Sequence, residues 1–390
     1  MTVEIKEMST LNIEEMYRLA IYAFHMEDTP LRREKIETMA KNSWNYGAFS
    51  DGQLTSELMV TPFKVNFHGV TYGMGGIGYV ASYPEYRGGG AINQIFHQIL
   101  ADMKERQVAL SYLAPFSYPF YRRYGYEQAF DKIRYTLKTE NLPRIGKVPG
   151  TVKRVTWENA HEEIDCLYLE DPKHQRGGLI RDDWWWHYTK ELGKKPNYAV
   201  YYNEAGQAEG YVIYQFQDMT FDIMEWSSQS YQAWQGLARF VASHGGAFSE
   251  FTYASPTGED RSYLLDSPLV KMEKVPDMMA RIVDFQAFLS RYPFDVEAED
   301  TLVLEVLDEY APWNNGKWQL TLSPGKQPQI MPTDEAADIT ASIQAWSQAL
   351  LGYKELVELA AYERFTGDWS TIDRLQNWLP KGKPVLADYF

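Results

Sequence analysis

Apolar residues recur along this chain with two different periodicities. Residues spaced three or four positions apart share one face of an amphipathic helix, whereas alternating or short continuous runs predict strands. The helical spacing predicts helices at 13–24, 92–103, 159–168, 232–243, 280–289, 339–351 and 353–360. The strand pattern predicts strands at 48–50, 58–67, 77–80, 108–114, 152–155, 198–202, 210–216, 221–226, 301–307 and 317–322. Helices and strands are interspersed, which indicates a mixed α/β fold.

A turn with three consecutive glycines separates the predicted strand at 77–80 from the helix at 92–103. This geometry can bind a phosphate, because first-turn N–H groups lack intrahelical partners and the helix dipole favours an anion. Composition alone leaves a plain turn as an equal alternative. The turn lacks the Lys-Ser/Thr of a P-loop and the Gly-x-Gly-x-x-Gly order of a dinucleotide fold, so neither of those sites is predicted.

Proline and glycine interrupt the pattern between 143 and 150, which indicates a linker. A chain of 390 residues exceeds one ordinary core, so several domains are expected. The predicted domains are 1–148, 149–285 and 286–390.

Charge and cysteine content narrow the function. The net charge of −15 argues against nucleic acid as a partner. An acidic surface would attract cationic substrates such as amines, but taken alone this charge is explained better by solubility. Cys166 is the single cysteine, which fits a reducing cytoplasm; its apolar neighbours predict an inert core position. The seven histidines show no metal-ligand spacing, and no apolar run is long enough to span a membrane.

Two motifs carry a resemblance to a known family. The turn Arg87-Gly88-Gly89-Gly90-Ala91-Ile92 resembles the Arg/Gln-x-x-Gly-x-Gly/Ala signature of GCN5-related N-acetyltransferases, with Ile92 in place of the final small residue. The segment FYRRYGY at 120–126 resembles the Phe-Tyr-x-x-x-Gly-Phe stretch that follows their fifth strand.

The segment ARIVDFQAFLSRYP, which begins at 280, resembles sterol-carrier-like domains. With two acetyltransferase-like units before it and an aromatic last residue, Phe390, the whole chain resembles the Eis (enhanced intracellular survival) N-acetyltransferases.

This resemblance implies two acetyltransferase-like domains followed by a sterol-carrier-like domain. The second domain lacks the phosphate turn, so we do not expect it to bind CoA. The resemblance also implies a cytoplasmic homo-oligomer, a hexamer being the expected form. It implies acetyl-CoA as co-substrate, no metal and no membrane, and places coenzyme contacts at Val80, Ala81, Ser82, Gly88, Gly89, Gly90, Ala91, Ile92, Asn93, Phe116 and Ser117.

By the same resemblance, Tyr121 protonates the departing thiolate and the C-terminal carboxylate of Phe390 accepts a proton from the amine. The expected acceptor is the amine of a small molecule or a lysine side chain. Phe24, Glu27 and Asp28 are further candidates for the acceptor side. The alternative function is a carrier of lipid or another hydrophobic ligand, in which the acetyltransferase unit is vestigial.

Overall fold

A computed structural model describes residues 4–266 and 269–390, which form two compact units. Unit 1 contains the described residues up to Ala129 together with Met278–Gly382 and Tyr389–Phe390. Unit 2 contains Phe130–Asp277, apart from positions 267 and 268, and Lys383–Asp388.

The secondary structure alternates throughout the described chain. The strands are β1 (Glu4–Met8), β2 (Trp44–Ser50), β3 (Gln53–Phe67), β4 (Val70–Ser82), β5 (Leu110–Leu113), β6 (Glu127–Gln128), β7 (Asp131–Lys138), β8 (Thr151–Val155), β9 (Arg176–Ile180), β10 (Asn197–Tyr202), β11 (Ala208–Gln217), β12 (Thr220–Ser228), β13 (Glu250–Ser255), β14 (Lys271–Pro276), β15 (Met279–Ile282), β16 (Asp300–Leu307), β17 (Gly316–Leu322), β18 (Gln329–Pro332), β19 (Ile339–Ser342) and β20 (Phe365–Gly367). The helices are α1 (Ile13–Ala23), α2 (Pro30–Lys41), α3 (Ala91–Glu105), α4 (Tyr118–Arg122), α5 (Trp157–Glu170), α6 (Asp183–Trp186), α7 (Tyr231–Ala242), α8 (Phe285–Leu289), α9 (Ile343–Leu350), α10 (Leu356–Ala361) and α11 (Trp369–Trp378).

The first sheet of unit 1 runs in the order β1-β2-β3-β4-β5-β15-β6. Along this order the pairs are antiparallel except β4 with β5, which is parallel. One face of α3 packs on this sheet through the apolar positions of its helical spacing. They are Ala91, Ile95, Phe96, Ile99, Leu100 and Met103.

The prediction of a helix at 280–289 is wrong for its first residues, because 279–282 form β15 between β5 and β6. The remainder of the prediction corresponds to α8. Arg281 explains the error. This side chain is fully buried and its guanidinium pairs with Asp308 at 2.6 Å, a partner that is distant in sequence. Tertiary contacts of this kind override local propensity.

The second sheet of unit 1 runs in the order β18-β17-β16-β19-β20. Along the chain, α9 and α10 lie between β19 and β20, and α11 follows β20. The helix predicted at 339–351 begins only at Ile343, because the first four positions form β19, which pairs with β16 and β20. Ser342 then caps α9 by accepting a hydrogen bond from the Ala345 N–H.

The sheet of unit 2 runs in the order β14-β7-β13-β12-β11-β10-β8, in which β12 and β13 are parallel. Helices α5 and α7 pack on it through buried aliphatic residues. The prediction that Cys166 lies in the core is wrong: it is exposed on α5. Ile164 and Leu167 carry the buried face of that helix instead.

Mixed sheets with packed helices confirm the predicted α/β class. Across residues 4–266 and 269–390, no helix combines the length and the apolarity needed to cross a membrane.

Candidate active site

The parallel strands β4 and β5 separate part-way along their length and form a fork. Their pairing runs from Met74 with Leu110 to Ile77 with Leu113 and then ends. A bulge follows at once on the other side of β4, where the register against β3 shifts and Tyr79 has a positive φ of 52°. Bulges of this kind re-aim a strand next to functional sites. The edge of β4 from Gly78 to Ser82 therefore lies at the fork with no ladder to β5.

The predicted phosphate turn lies directly before α3. Gly90 is the N-cap residue, with φ of 80°, and no side chain caps the helix there. A residue with a Cβ atom is strained at such a φ, which explains glycine at this position. The first-turn N–H groups of 91–93 are consequently available to an anion. The Asn93 side chain is engaged elsewhere in unit 1, since its Oδ1 accepts a hydrogen bond of 2.6 Å from the Tyr310 hydroxyl.

Tyr121 lies on α4, the short helix that follows β5. Its side chain is 2% exposed and packs against Phe96 and Phe116, with ring centroids 6.2 Å and 5.3 Å away. Burial raises the pKa of Tyr121 well above its ordinary value, with nearby tyrosines adding to the rise. The hydroxyl is therefore protonated at neutral pH. No residue that the structure describes accepts a hydrogen bond from it.

Phe116 and Ser117 connect β5 to this helix. Phe116 is 70% exposed, and Ser117 is the N-cap residue of α4 in extended conformation. The two predicted coenzyme contacts are thus placed beside Tyr121, on the β5 side of the fork.

The end of the chain also lies against β4. The Phe390 ring packs on Phe63 with centroids 5.2 Å apart. A Cβ atom at Gly76 would lie 2.8 Å from the Phe390 ring, so a larger residue there would displace it. A Cβ atom at Gly78 would lie 3.6 Å from the carboxyl carbon of Phe390. Gly76 therefore makes room for the Phe390 ring, whereas the contact at Gly78 is an ordinary van der Waals distance.

Burial is the main cause of the raised pKa of Tyr121, and nearby tyrosines, Tyr389 among them, add to the rise. The preceding tail residues, 383–388, are packed within unit 2. There the Asp388 carboxylate accepts hydrogen bonds from Arg181 Nε at 2.9 Å and from Trp185 Nε1 at 2.8 Å, all three side chains being buried. Chain termini ordinarily fray, so such an anchor is unusual two residues from the end.

Aromatic side chains from the end of α1 face the bulged part of β4. Tyr22 lies 5.5 Å from Tyr83 and Phe24 lies 6.0 Å from Tyr79, measured between ring centroids. Asp28, which follows α1, accepts a hydrogen bond from the Tyr17 hydroxyl. Aromatic faces and a nearby carboxylate suit a cationic amine.

One buried acid near this region was not among the predicted residues. Glu57 on β3 pairs with Ala81 on β4, is 0% exposed, and neither carboxylate oxygen has a hydrogen-bond partner among the described residues. Burial raises its pKa well above the ordinary value. The only sequence signal is one acid inside the apolar run of β3, which a solvent-facing strand position explains equally well.

Family comparisons agree with this architecture. Two acetyltransferase (GNAT) domain models match residues 4–129 and 177–282, and a sterol carrier protein domain model matches residues 285–387. A crystal structure from Enterococcus faecalis V583, described as a conserved protein of unknown function and probable N-acyltransferase, is 46% identical. The match covers 100% of both chains with a TM-score of 0.97.

The chain belongs to the GCN5-related N-acetyltransferase family. It is therefore an acyltransferase. A relative from Streptomyces avermitilis, described as an uncharacterized N-acetyltransferase, is 25% identical over 375 residues, covering 88% of this chain and 88% of the relative. Eis1 from Mycobacterium abscessus is 18% identical with a TM-score of 0.83 over 100% of both chains. That likeness shows a shared fold and confirms the Eis-like arrangement of domains.

Proposed function

We propose that this enzyme transfers the acetyl group of acetyl-CoA directly to the amine of a small molecule or of a lysine side chain. The observation that carries the proposal is the convergence of three features in unit 1. An uncapped glycine turn, the buried Tyr121 and the terminal carboxylate of Phe390 all border the fork between β4 and β5.

The coenzyme would enter the fork from the glycine turn. Its pyrophosphate would accept hydrogen bonds from the backbone of Gly88–Asn93, where the glycines and the α3 dipole favour an anion. Its pantetheine arm would extend along Val80–Ser82 as an added strand, because the pairing of β4 with β5 ends at Ile77 with Leu113. Phe116 and Ser117 would border the arm on the opposite strand.

The acceptor amine arrives as an ammonium and must lose a proton before it attacks. We assign this proton to the Phe390 carboxylate, directly or through one water. An α-carboxyl has an ordinary pKa of about 3.5 and an amine one of about 10. Removal of both groups from water would narrow this gap in pKa, because desolvation makes a carboxylate more basic and an ammonium more acidic.

The free amine then forms a bond to the acetyl carbon while the carbon–sulfur bond breaks, and the sulfur leaves as a thiolate. Tyr121 would donate its hydroxyl proton toward that sulfur. Because its pKa is raised, Tyr121 keeps this proton throughout the neutral range. The hydroxyl would first donate a hydrogen bond to the sulfur as negative charge develops there, and the proton would be transferred afterwards.

The test is to extend the chain by Gly-Ser after Phe390, which moves the carboxylate by two residues. We expect kcat for thiol release to fall by about 100-fold or more, with an unchanged KM for acetyl-CoA. The matched control inserts Gly-Ser after Gly206, in an exposed turn of unit 2. Unchanged kcat in the extended chain would remove Phe390 from the mechanism.

We also propose, from the resemblance to Eis alone, a cytoplasmic homohexamer. Light scattering should then give about six times the chain mass of 45.2 kDa. A mass equal to that of one chain would contradict the proposal.

A further inference from the structure

Unit 2 contains a second fork, between β12 and β13. The strands pair in parallel from Thr220 with Glu250 to Ile223 with Tyr253 and then separate. Residues at and beyond that point, Trp226 and Ser228 on β12 and Tyr253 and Ser255 on β13, border a cavity of about 150 Å³. An apolar cavity of about this volume accommodates a benzene ring.

A coenzyme phosphate is excluded from the helix end beside this fork. Ser230 caps α7 by accepting a hydrogen bond from the Ala233 N–H at 3.1 Å. The same hydroxyl donates to the Glu209 carboxylate at 2.7 Å. A side-chain cap and a carboxylate therefore occupy the place where an uncapped glycine turn stands in unit 1.

The cavity walls are largely apolar but carry an excess of positive charge. Lys173 is buried and is neutralised by Asp171 at 2.9 Å. Arg261 also lines the cavity, and no carboxylate among the described residues lies within 4.0 Å of its guanidinium. The Arg261 backbone N–H donates a hydrogen bond of 2.9 Å to the hydroxyl of Tyr135, another lining residue. Burial raises the pKa of Tyr253 and of Tyr135, and Arg261 opposes both rises.

A second lining residue has an unused donor. The Nε1–H of Trp226 is buried and has no hydrogen-bond partner among the residues that the structure describes. An unpaired buried donor costs about 1–3 kcal/mol, so a position of this kind favours a ligand that supplies an acceptor.

We propose that this cavity binds a small carboxylate whose body is apolar and about the size of one ring. The carboxylate accepts hydrogen bonds from Arg261 and Trp226, and the ring packs among the apolar walls, beside Ala238 and Val241 of α7. Such a ligand matches the volume and the apolar lining of the site. It also matches the Arg261 guanidinium, which has no carboxylate partner among the described residues, and the Trp226 donor, which has no acceptor among them. This site is separate from the proposed acetyl transfer and does not depend on it.

The test uses the full chain and the probe 4-fluorophenylacetate, followed by ¹⁹F NMR. We expect saturable broadening of its signal, and binding of the uncharged analogue 4-fluorophenylacetamide that is about 10-fold weaker or worse. Arg261→Gln should weaken binding of the acid by about 10-fold, because one charged hydrogen bond is lost. Arg239→Gln, an exposed arginine on α7 outside the lining, should leave it unchanged.

Ala238→Phe fills the cavity and should abolish binding. Because Arg261 is exposed, Arg261→Gln keeps the test decisive even if the filled variant folds poorly. Three outcomes overturn the proposal: equal affinity for acid and amide, unchanged binding in Arg261→Gln, or displacement of the probe by CoA. Displacement by CoA would place the probe at the first fork. If the proposed acetyl transfer were disproved, the results of these binding measurements would not change.

Discussion

The two forks share a backbone plan and differ in what surrounds it. Each forms where two parallel strands separate and a helix connects them, β4 and β5 through α3, or β12 and β13 through α7. In unit 1 the helix starts at a glycine with no side-chain cap. In unit 2 it starts at a serine that caps the helix and donates to Glu209. We therefore predict that the helix N-terminus, more than the fork, determines whether a phosphate binds.

The two units also differ in the hydrogen bonding of a buried glutamate. Glu57 in unit 1 is buried without a hydrogen-bond partner among the described residues. Glu225 in unit 2 is equally buried but accepts hydrogen bonds from Arg181, Lys190 and Tyr211 at 2.6–2.9 Å. Charged hydrogen bonds lower the pKa of Glu225 against its burial, whereas burial alone raises that of Glu57.

The largest expected effect is on chemistry at the first fork. Tyr121→Phe removes the donor to the leaving sulfur, so we expect kcat for thiol release to fall by about 10²–10⁴-fold. Tyr214→Phe, a buried tyrosine in unit 2, is the matched control and should retain activity. Equal turnover in Tyr121→Phe and the wild type would show that another group protonates the sulfur.

The next effect is on the stability of unit 2. Glu225→Gln leaves Arg181 and Lys190 buried without their shared carboxylate, so we expect a loss of about 3–5 kcal/mol in the free energy of unfolding. Because folding lowers the pKa of Glu225, its carboxylate stabilises the folded state fully above the unfolded pKa of about 4.3. This stabilisation disappears as the pH falls through the pKa that Glu225 has in the folded state. Urea unfolding at pH 7 measures the loss, and a change below 1 kcal/mol would contradict it.

A smaller effect tests the glycine turn. Gly90→Ala places a Cβ atom at φ of 80°, which costs about 1 kcal/mol and shifts the turn. We expect the KM for acetyl-CoA to rise several-fold. Gly206→Ala is closely matched, since that glycine also has φ of 80° with open space around it, but it lies in a turn of unit 2. Similar KM values in the two variants would argue against the turn as a phosphate site.

The smallest expected effect concerns the slope of stability with pH. Glu57 keeps its proton in the folded state while the unfolded chain releases it above a pKa of about 4.3, so this residue lowers stability as the pH rises from there toward its folded pKa. Glu57→Gln should remove that part of the slope. Thermal unfolding of both chains from pH 4.5 to 8 measures it, and parallel curves would refute the assignment.

Local sequence patterns predicted most elements correctly. The helical spacing at 92–103 corresponds to the buried face of α3, and the strands predicted at 301–307 and 317–322 are β16 and β17. The errors share a cause. The runs that start at 280 and at 339 have helical spacing, yet their first residues form strands because partners far away in sequence pair with them. The roles assigned to Tyr121 and Phe390 remain predictions.

What the sequence alone determined is the mixed α/β class, the family and the order of its domains, because periodicity and short motifs are local properties of the chain. Tertiary structure alone decided which distant groups meet. It placed Phe390 against Gly76 and Gly78, and left Glu57 without a hydrogen-bond partner among the residues that the structure describes. It also opened a cavity at the second fork that no motif marks. The physical reason is that burial, pairing and enclosed volume depend on contacts between residues far apart in sequence.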